Sequence, residues 1–102
     1  MKMVFMSFFE GKTDEVMELI ESEGVEFYVR WDQVKGKSIG YRPRMGSQIW
    51  PGYDGAVQFP IEDEKVDMLI EKIEKFNRET EYEGLSAFFF DISKAIIKKP
   101  SK

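Results

Sequence analysis

The stretch DEVMELIESEGVEFYVRWDQVKGKS, Asp14 to Ser38, decides the fold, because its apolar rhythm changes halfway along. Val16, Leu19 and Ile20 recur at helical spacing, and Asp14 and Glu15 sit where a helix dipole is positive. Thr13 is placed to cap that helix, and Gly24 stands where a C-terminal glycine stops one. From Val25 to Asp32 the period becomes two: Val25, Phe27, Val29 and Trp31 alternate with Glu26, Tyr28, Arg30 and Asp32. That pattern predicts a strand with one buried and one more polar face.

Working outward, residues 1–9 are apolar on both alternating faces, Met3 and Phe5 on one, Val4, Met6 and Phe8 on the other. A strand covered on both sides reads this way. Downstream, the chain enters VKGKSIGYRPRMGSQIWPGYDGA, Val34 to Ala56, which holds five of the eight glycines and two of the four prolines. Such density opposes a continuous helix or a central strand, and loops this long usually carry function. Lys35, Lys37, Arg42 and Arg44 face a single acid there, Asp54, inside a chain of net charge -4. We therefore expect the rest of the molecule to serve the presentation of this loop.

Beyond it, Val57, Phe59 and Ile61 share one face of an extended Ala56–Ile61 segment, and Pro60, which cannot donate to a ladder, should end the pairing. Glu62 or Asp63 opens a second helix with the stripe Val66, Leu69, Ile70, Ile73 and Phe76, and with Glu71–Lys75 and Glu74–Arg78 pairs on its wet side. Asn77 to Gly84 is a polar connection, LSAFFFDI (Leu85 to Ile92) a last strand, and SKAIIKKPSK a short basic tail able to coil into a helix. The order βαββαβ predicts a single α+β domain over residues 1–102, ferredoxin-like, with two helices on one face of a four-stranded antiparallel sheet. Strands one and four are apolar on both faces, so the face without helices should be buried against identical subunits.

Composition narrows the function. At 102 residues and 42 % hydrophobic, the chain is one domain with a real core. Cysteine and histidine are both absent, which removes the commonest nucleophile, general base and zinc ligands. No carboxylate pair is convincingly placed for catalysis either, so we expect no enzyme, no catalytic residue and no metal site. An acidic chain disfavours nucleic acid. The apolar N-terminal run stops at Glu10 without a small-residue cleavage site, and a cytoplasmic protein is expected.

Asp14 to Ser38 also resembles the first helix, second strand and loop start of the nitrogen-regulatory PII signalling proteins, in its D-E-V helix start, its glycine-valine step and its V-K-G step. EDEKVDMLIEKIEKF is similar to that family's second helix and EGLSAFFFDISKAI to its last strand, so the resemblance spans nearly the whole chain. It implies a cytoplasmic homotrimer that binds nucleotides such as ATP or ADP between subunits and moves its long loop against a target enzyme or membrane transporter. Asn77 to Gly84 departs from the family's phosphate-binding turn, with one glycine and three glutamates, and Lys94, Lys98 and Lys99 stand where the family has an arginine-rich end. The same fold occurs in trimeric CutA-type proteins, so an accessory role in metal-ion tolerance or efflux is the alternative.

With that turn altered, Lys35, Gly36, Lys37, Gly40, Arg42 and Arg44 become the candidate ligand-binding residues for a small anion. Tyr41, Trp50 and Tyr53 are the candidate partner-binding residues, because aromatics are costly in a merely solvated loop. A loop using charge only for solubility is the plain alternative. Tyr41 or Tyr53 could also accept a modification, as a loop tyrosine does in some PII proteins. Gly11-Lys12-Thr13 lacks the glycine-rich loop of a phosphate cradle and reads as a turn. Met3 and Met6 point to opposite faces of a strand, which favours packing over copper ligation.

Overall fold

The computed structural model describes residues 1–81 and 83–101. The chain runs through β1 (Lys2–Phe9), a 3-10 turn (Glu10–Lys12), α1 (Thr13–Glu21), β2 (Val29–Val34), β3 (Asp54–Ile61), α2 (Asp63–Glu79) and β4 (Ser86–Asp91). The strands form one antiparallel sheet in the order β2-β3-β1-β4. Each helix carries the chain past one intervening strand, so β1 ends beside both β3 and β4. The predicted ferredoxin-like α+β fold is the one observed.

Period-two burial in β1 explains where the core lies. Val4, Met6 and Phe8 are fully enclosed, together with Val57, Phe59 and Ile61 of β3. Val16, Met17 and Ile20 of α1 and Leu69 and Ile73 of α2 close over them, with Leu85 at the margin. Burying a side chain of the size of Phe8 or Phe59 contributes about 2–3 kcal/mol. Ile70, placed on the helical stripe by sequence, is instead exposed.

Several local expectations are corrected. Thr13 is the first residue of α1 rather than its cap; its hydroxyl donates to the Glu10 carbonyl at 2.7 Å, locking the 3-10 turn below the helix. α1 ends at Glu21, and Gly24 (φ 77°) turns the chain after it, its N–H donating to the Glu21 carbonyl at 3.0 Å. β2 begins at Val29, four residues later than the alternation suggested, and is exposed along all but its last residue. Pro60 lies inside β3, opposite Met3, and pairing continues to Ile61. The tail has no helix through Ser101, consistent with the weakness of a short helix that packs on nothing; Lys102 lies outside the described residues.

The register also defines what the helices leave uncovered. One row across the sheet is Val29, Gln58, Phe5 and Phe88; the next is Pro60, Met3 and Phe90. Trp31 leans from β2 onto Phe5, ring centroids 6.5 Å apart. Phe88 and Phe90 are 55 % and 56 % exposed, while Phe89 between them packs against the core. The alternating face of β2 predicted to be buried therefore belongs to this open apolar surface, not to the core of the single chain.

Candidate functional site

The long loop is bound to itself before it is bound to anything else. Gly36 and Arg44 form an isolated bridge in which each N–H donates to the other's carbonyl, at 3.0 and 2.8 Å. Further out, Met45 and Ser47 both donate N–H to the Trp50 carbonyl, and Gly46 donates to that of Gly52. Gly46 has φ 62°, and a Cβ there would collide with the Tyr53 ring. Gly46→Ala is therefore expected to cost about 1–3 kcal/mol, read as a lowered urea midpoint with an unchanged slope.

At the base of the loop the Arg44 side chain turns inward. Its Nη1 donates to Asp54 Oδ1 at 2.6 Å and to Glu83 Oε1 at 2.9 Å. Its Nη2 lies 2.7 Å from Glu83 Oε2 but without the alignment of a hydrogen bond, leaving that buried oxygen without a well-aligned donor among the described residues. The Arg44 Cζ sits 4.6 Å from the centroid of the Phe9 ring, a cation–π distance. Local structure supplies each partner. Asp54 opens β3 directly opposite Phe9, the last residue of β1. Glu10 fixes the adjoining chain, donating its N–H to the Tyr53 carbonyl at 3.2 Å and accepting the Tyr53 N–H at 3.0 Å. Glu83 is positioned by its neighbours: the Asn77 side chain accepts the Leu85 N–H at 2.8 Å and donates to the Leu85 carbonyl at 3.1 Å.

The electrostatics of this triad are uneven. Burial, helped by the charges of Glu83 and Glu10, raises the Asp54 carboxyl above its ordinary value despite the hydrogen bond and charge of Arg44. Burial also pushes Glu83 upward, but the Arg44 hydrogen bond, the nearby Ser38 hydroxyl and the Arg44 charge leave it below the ordinary value. The Arg44 guanidinium is held charged, chiefly by its hydrogen bond to Glu83. One cation thus serves two buried carboxylates.

Beside the triad opens a cleft of about 510 Å³ lined by Phe9, Gly11, Lys12, Tyr41, Arg44 and Glu83. Lys12, on the cleft wall, makes only a loose ion pair with Glu15, at 3.8 Å. Two cations against two aromatic rings suit a small anion with a flat or apolar part. Of the candidate ligand residues, Arg44 lines this cleft and Gly36 holds the Arg44 backbone. Gly40 (φ 84°) makes the turn that places Tyr41. Lys35, Lys37 and Arg42 have no ion-pair partner among the described residues. Tyr41 and Trp50 meet around a second hollow of about 320 Å³, with Arg42, Pro43, Ile49 and Pro51, whereas Tyr53 lies apart beneath Gly46. Lys98 and Lys99 line a third hollow, of about 630 Å³, beside Ile61 at the other end of β3. Phe9, Lys12, Asp54 and Glu83 were missed as site residues. The signal for one of them was present, since Asp54 is the lone acid of a basic loop.

A ferredoxin-like sheet with a long loop between its second and third strands is the fold of the PII-like proteins, and the solved structures bear this out. CPII, a nitrogen regulatory PII-like protein from Thiomonas intermedia K12, bound to ADP, AMP and bicarbonate, superposes with a TM-score of 0.67 at 17 % identity, over 89 % of this chain and 90 % of that one. The same protein bound to ADP and bicarbonate gives 0.68 at 15 % identity, over 91 % and 88 %. A PII-like signalling protein from Thermus thermophilus gives 0.61 at 14 %, over 86 % and 82 %. No family model and no curated protein matches the sequence.

Proposed function

We propose that this chain is a divergent PII-like regulatory protein that works without catalysis. It assembles as a homotrimer, takes a small anionic ligand at the base of the Val34–Ala56 loop, and presents that loop to a partner enzyme or membrane transporter. One observation carries the reading. Arg44, a residue of the loop, lines the cleft and at the same time holds the start of β3 and the turn before β4. A ligand that engages Arg44 therefore bears on the position of the loop.

The fold likeness to CPII supports the ligand class, since CPII is seen with ADP, AMP and bicarbonate. Lys12 and Arg44 supply the cationic side of such a site, and Phe9 and Tyr41 a surface for a ring. The open apolar face, with Trp31, Phe88 and Phe90 exposed around the half-buried Phe5, supports assembly, since contiguous exposed apolar surface of this kind marks interaction sites. Lys35, Lys37 and Arg42, with Tyr41 and Trp50, form the partner-facing part of the loop. No described helix is long and apolar enough to cross a membrane, so a transporter would be met from outside the bilayer.

The experiment is calorimetric titration of the purified protein with ATP, ADP, AMP, cyclic nucleotides and bicarbonate. Saturable heat is expected for at least one of them. Silence for all would leave a protein-binding module without a sensing site.

A further inference from the structure

We infer that Glu83 is a resident anion: its carboxylate occupies the end of the Arg44 guanidinium that an external carboxylate or phosphoryl group must take. The inference rests on the ligand site proposed above and adds how that site is controlled.

The geometry is that of a bound ligand. Both terminal nitrogens of Arg44 face Glu83, Nη1 to Oε1 at 2.9 Å and Nη2 to Oε2 at 2.7 Å. A carboxylate facing both arms of a guanidinium, with one aligned hydrogen bond and one ion-pair contact, occupies the place where external carboxylates and phosphates are held. Asp54 is bound differently, through Nη1 alone at 2.6 Å, and it belongs to a strand. Glu83 lies instead in the connection between α2 and β4, outside every strand. Glu83 also lines the cleft, whereas Asp54 does not.

Charge makes the occupancy exclusive. Arg44 with two carboxylates carries a net negative charge, and Glu10 adds to the field at Asp54. A third anion at the same fork would meet two like charges in a partly buried site, with Lys12 as the sole further cation on the cleft wall among the described residues. The external anion binds when Glu83 leaves. Displacement frees Glu83 from the base of the loop. Ligand binding and loop tethering become alternatives for one side chain.

The test uses pyrophosphate as the probe, by calorimetry at low ionic strength. Glu83→Gln is expected to bind it at least tenfold more tightly than the wild-type protein. Asp54→Asn removes the same charge but leaves the competing Glu83 carboxylate on the fork, and is expected to gain less than threefold. Equal gains would mean a plain charge effect and would overturn the inference, as would no gain in Glu83→Gln, including silence in both proteins. Should either variant fail to fold, carboxyl NMR on the wild-type protein decides. Saturating pyrophosphate should bring Glu83 back to an ordinary carboxylate titration, and an unchanged titration rejects the displacement. Nucleotide heat in the wild type with no effect of Glu83→Gln would leave the sensing reading standing and this inference fallen. Tight pyrophosphate binding by Glu83→Gln in a protein silent to nucleotides would do the reverse.

Discussion

Phe88→Glu is expected to yield a folded monomer of 12.0 kDa where the wild-type protein gives a mass about three times larger by light scattering. Phe88 stands in the row Val29, Gln58, Phe5, Phe88, on the face that the helices leave open. It is more than half exposed in the single chain, so the substitution leaves the core of Val4, Met6, Phe8 and Phe59 untouched and the circular dichroism should not change. In an assembly the same position would bring carboxylates from several copies into an apolar interface. An isolated charge without a partner costs several kcal/mol when desolvated, enough to separate subunits at micromolar concentration. An unchanged mass in the variant, or a monomeric wild type, would remove the case for a trimer.

Arg44→Met should be the most destabilising single change at the loop base. It leaves Asp54 and Glu83, both nearly enclosed, without their shared cation, and the expected loss is about 3 kcal/mol at neutral pH. The acid dependence of the variant identifies the cause. Without Arg44 both carboxyls have folded-state values above their unfolded ones, so the folded protein binds protons more readily and stability falls as pH rises through that window. The deficit of Arg44→Met should therefore shrink as pH is lowered to about 4, where neutral carboxyls no longer need a cation. In the wild type, Glu83 has the opposite sign: its depressed folded-state value means that its contribution is present above the unfolded value and is lost as pH falls through the folded one. Asp54, raised by burial, offsets part of this from the other direction. Denaturant unfolding of both proteins at neutral and acid pH separates the cases, and a pH-independent deficit would assign the loss to packing against Phe9 instead.

The element order was legible because periodicity is a local property. A period of two through Val57, Phe59 and Ile61 and a helical stripe through Leu69 and Ile73 need no knowledge of what they pack against. The exposed apolar face was legible for the same reason, from Phe88 and Phe90 flanking Phe89. Boundaries were less so: Val25 to Tyr28 alternate like a strand, yet pairing with β3 begins only at Val29. The site was legible only in part. Arg44 could be named from loop composition, but its partners lie 10 and 39 residues away, and no local pattern links a glutamate after the second helix to an arginine before the third strand. Glycine counts could not show that the loop closes on itself through Gly36 and Arg44 either. The loop that composition marked as the part to be presented is bolted down at its root.

The strand order has a consequence for biosynthesis. β1 occupies an inner position of the sheet, yet it is made before both of its neighbours, β3 and β4. Its apolar residues on one face wait for the helices, and those on the other lie on the face that the helices leave open. A segment carrying Met3, Val4, Phe5, Met6 and Phe8 is thus unprotected throughout synthesis of the domain. Such segments are where nascent chains aggregate or meet chaperones. Yield of soluble protein should accordingly respond more to changes in Lys2–Phe9 than to changes anywhere in the loop.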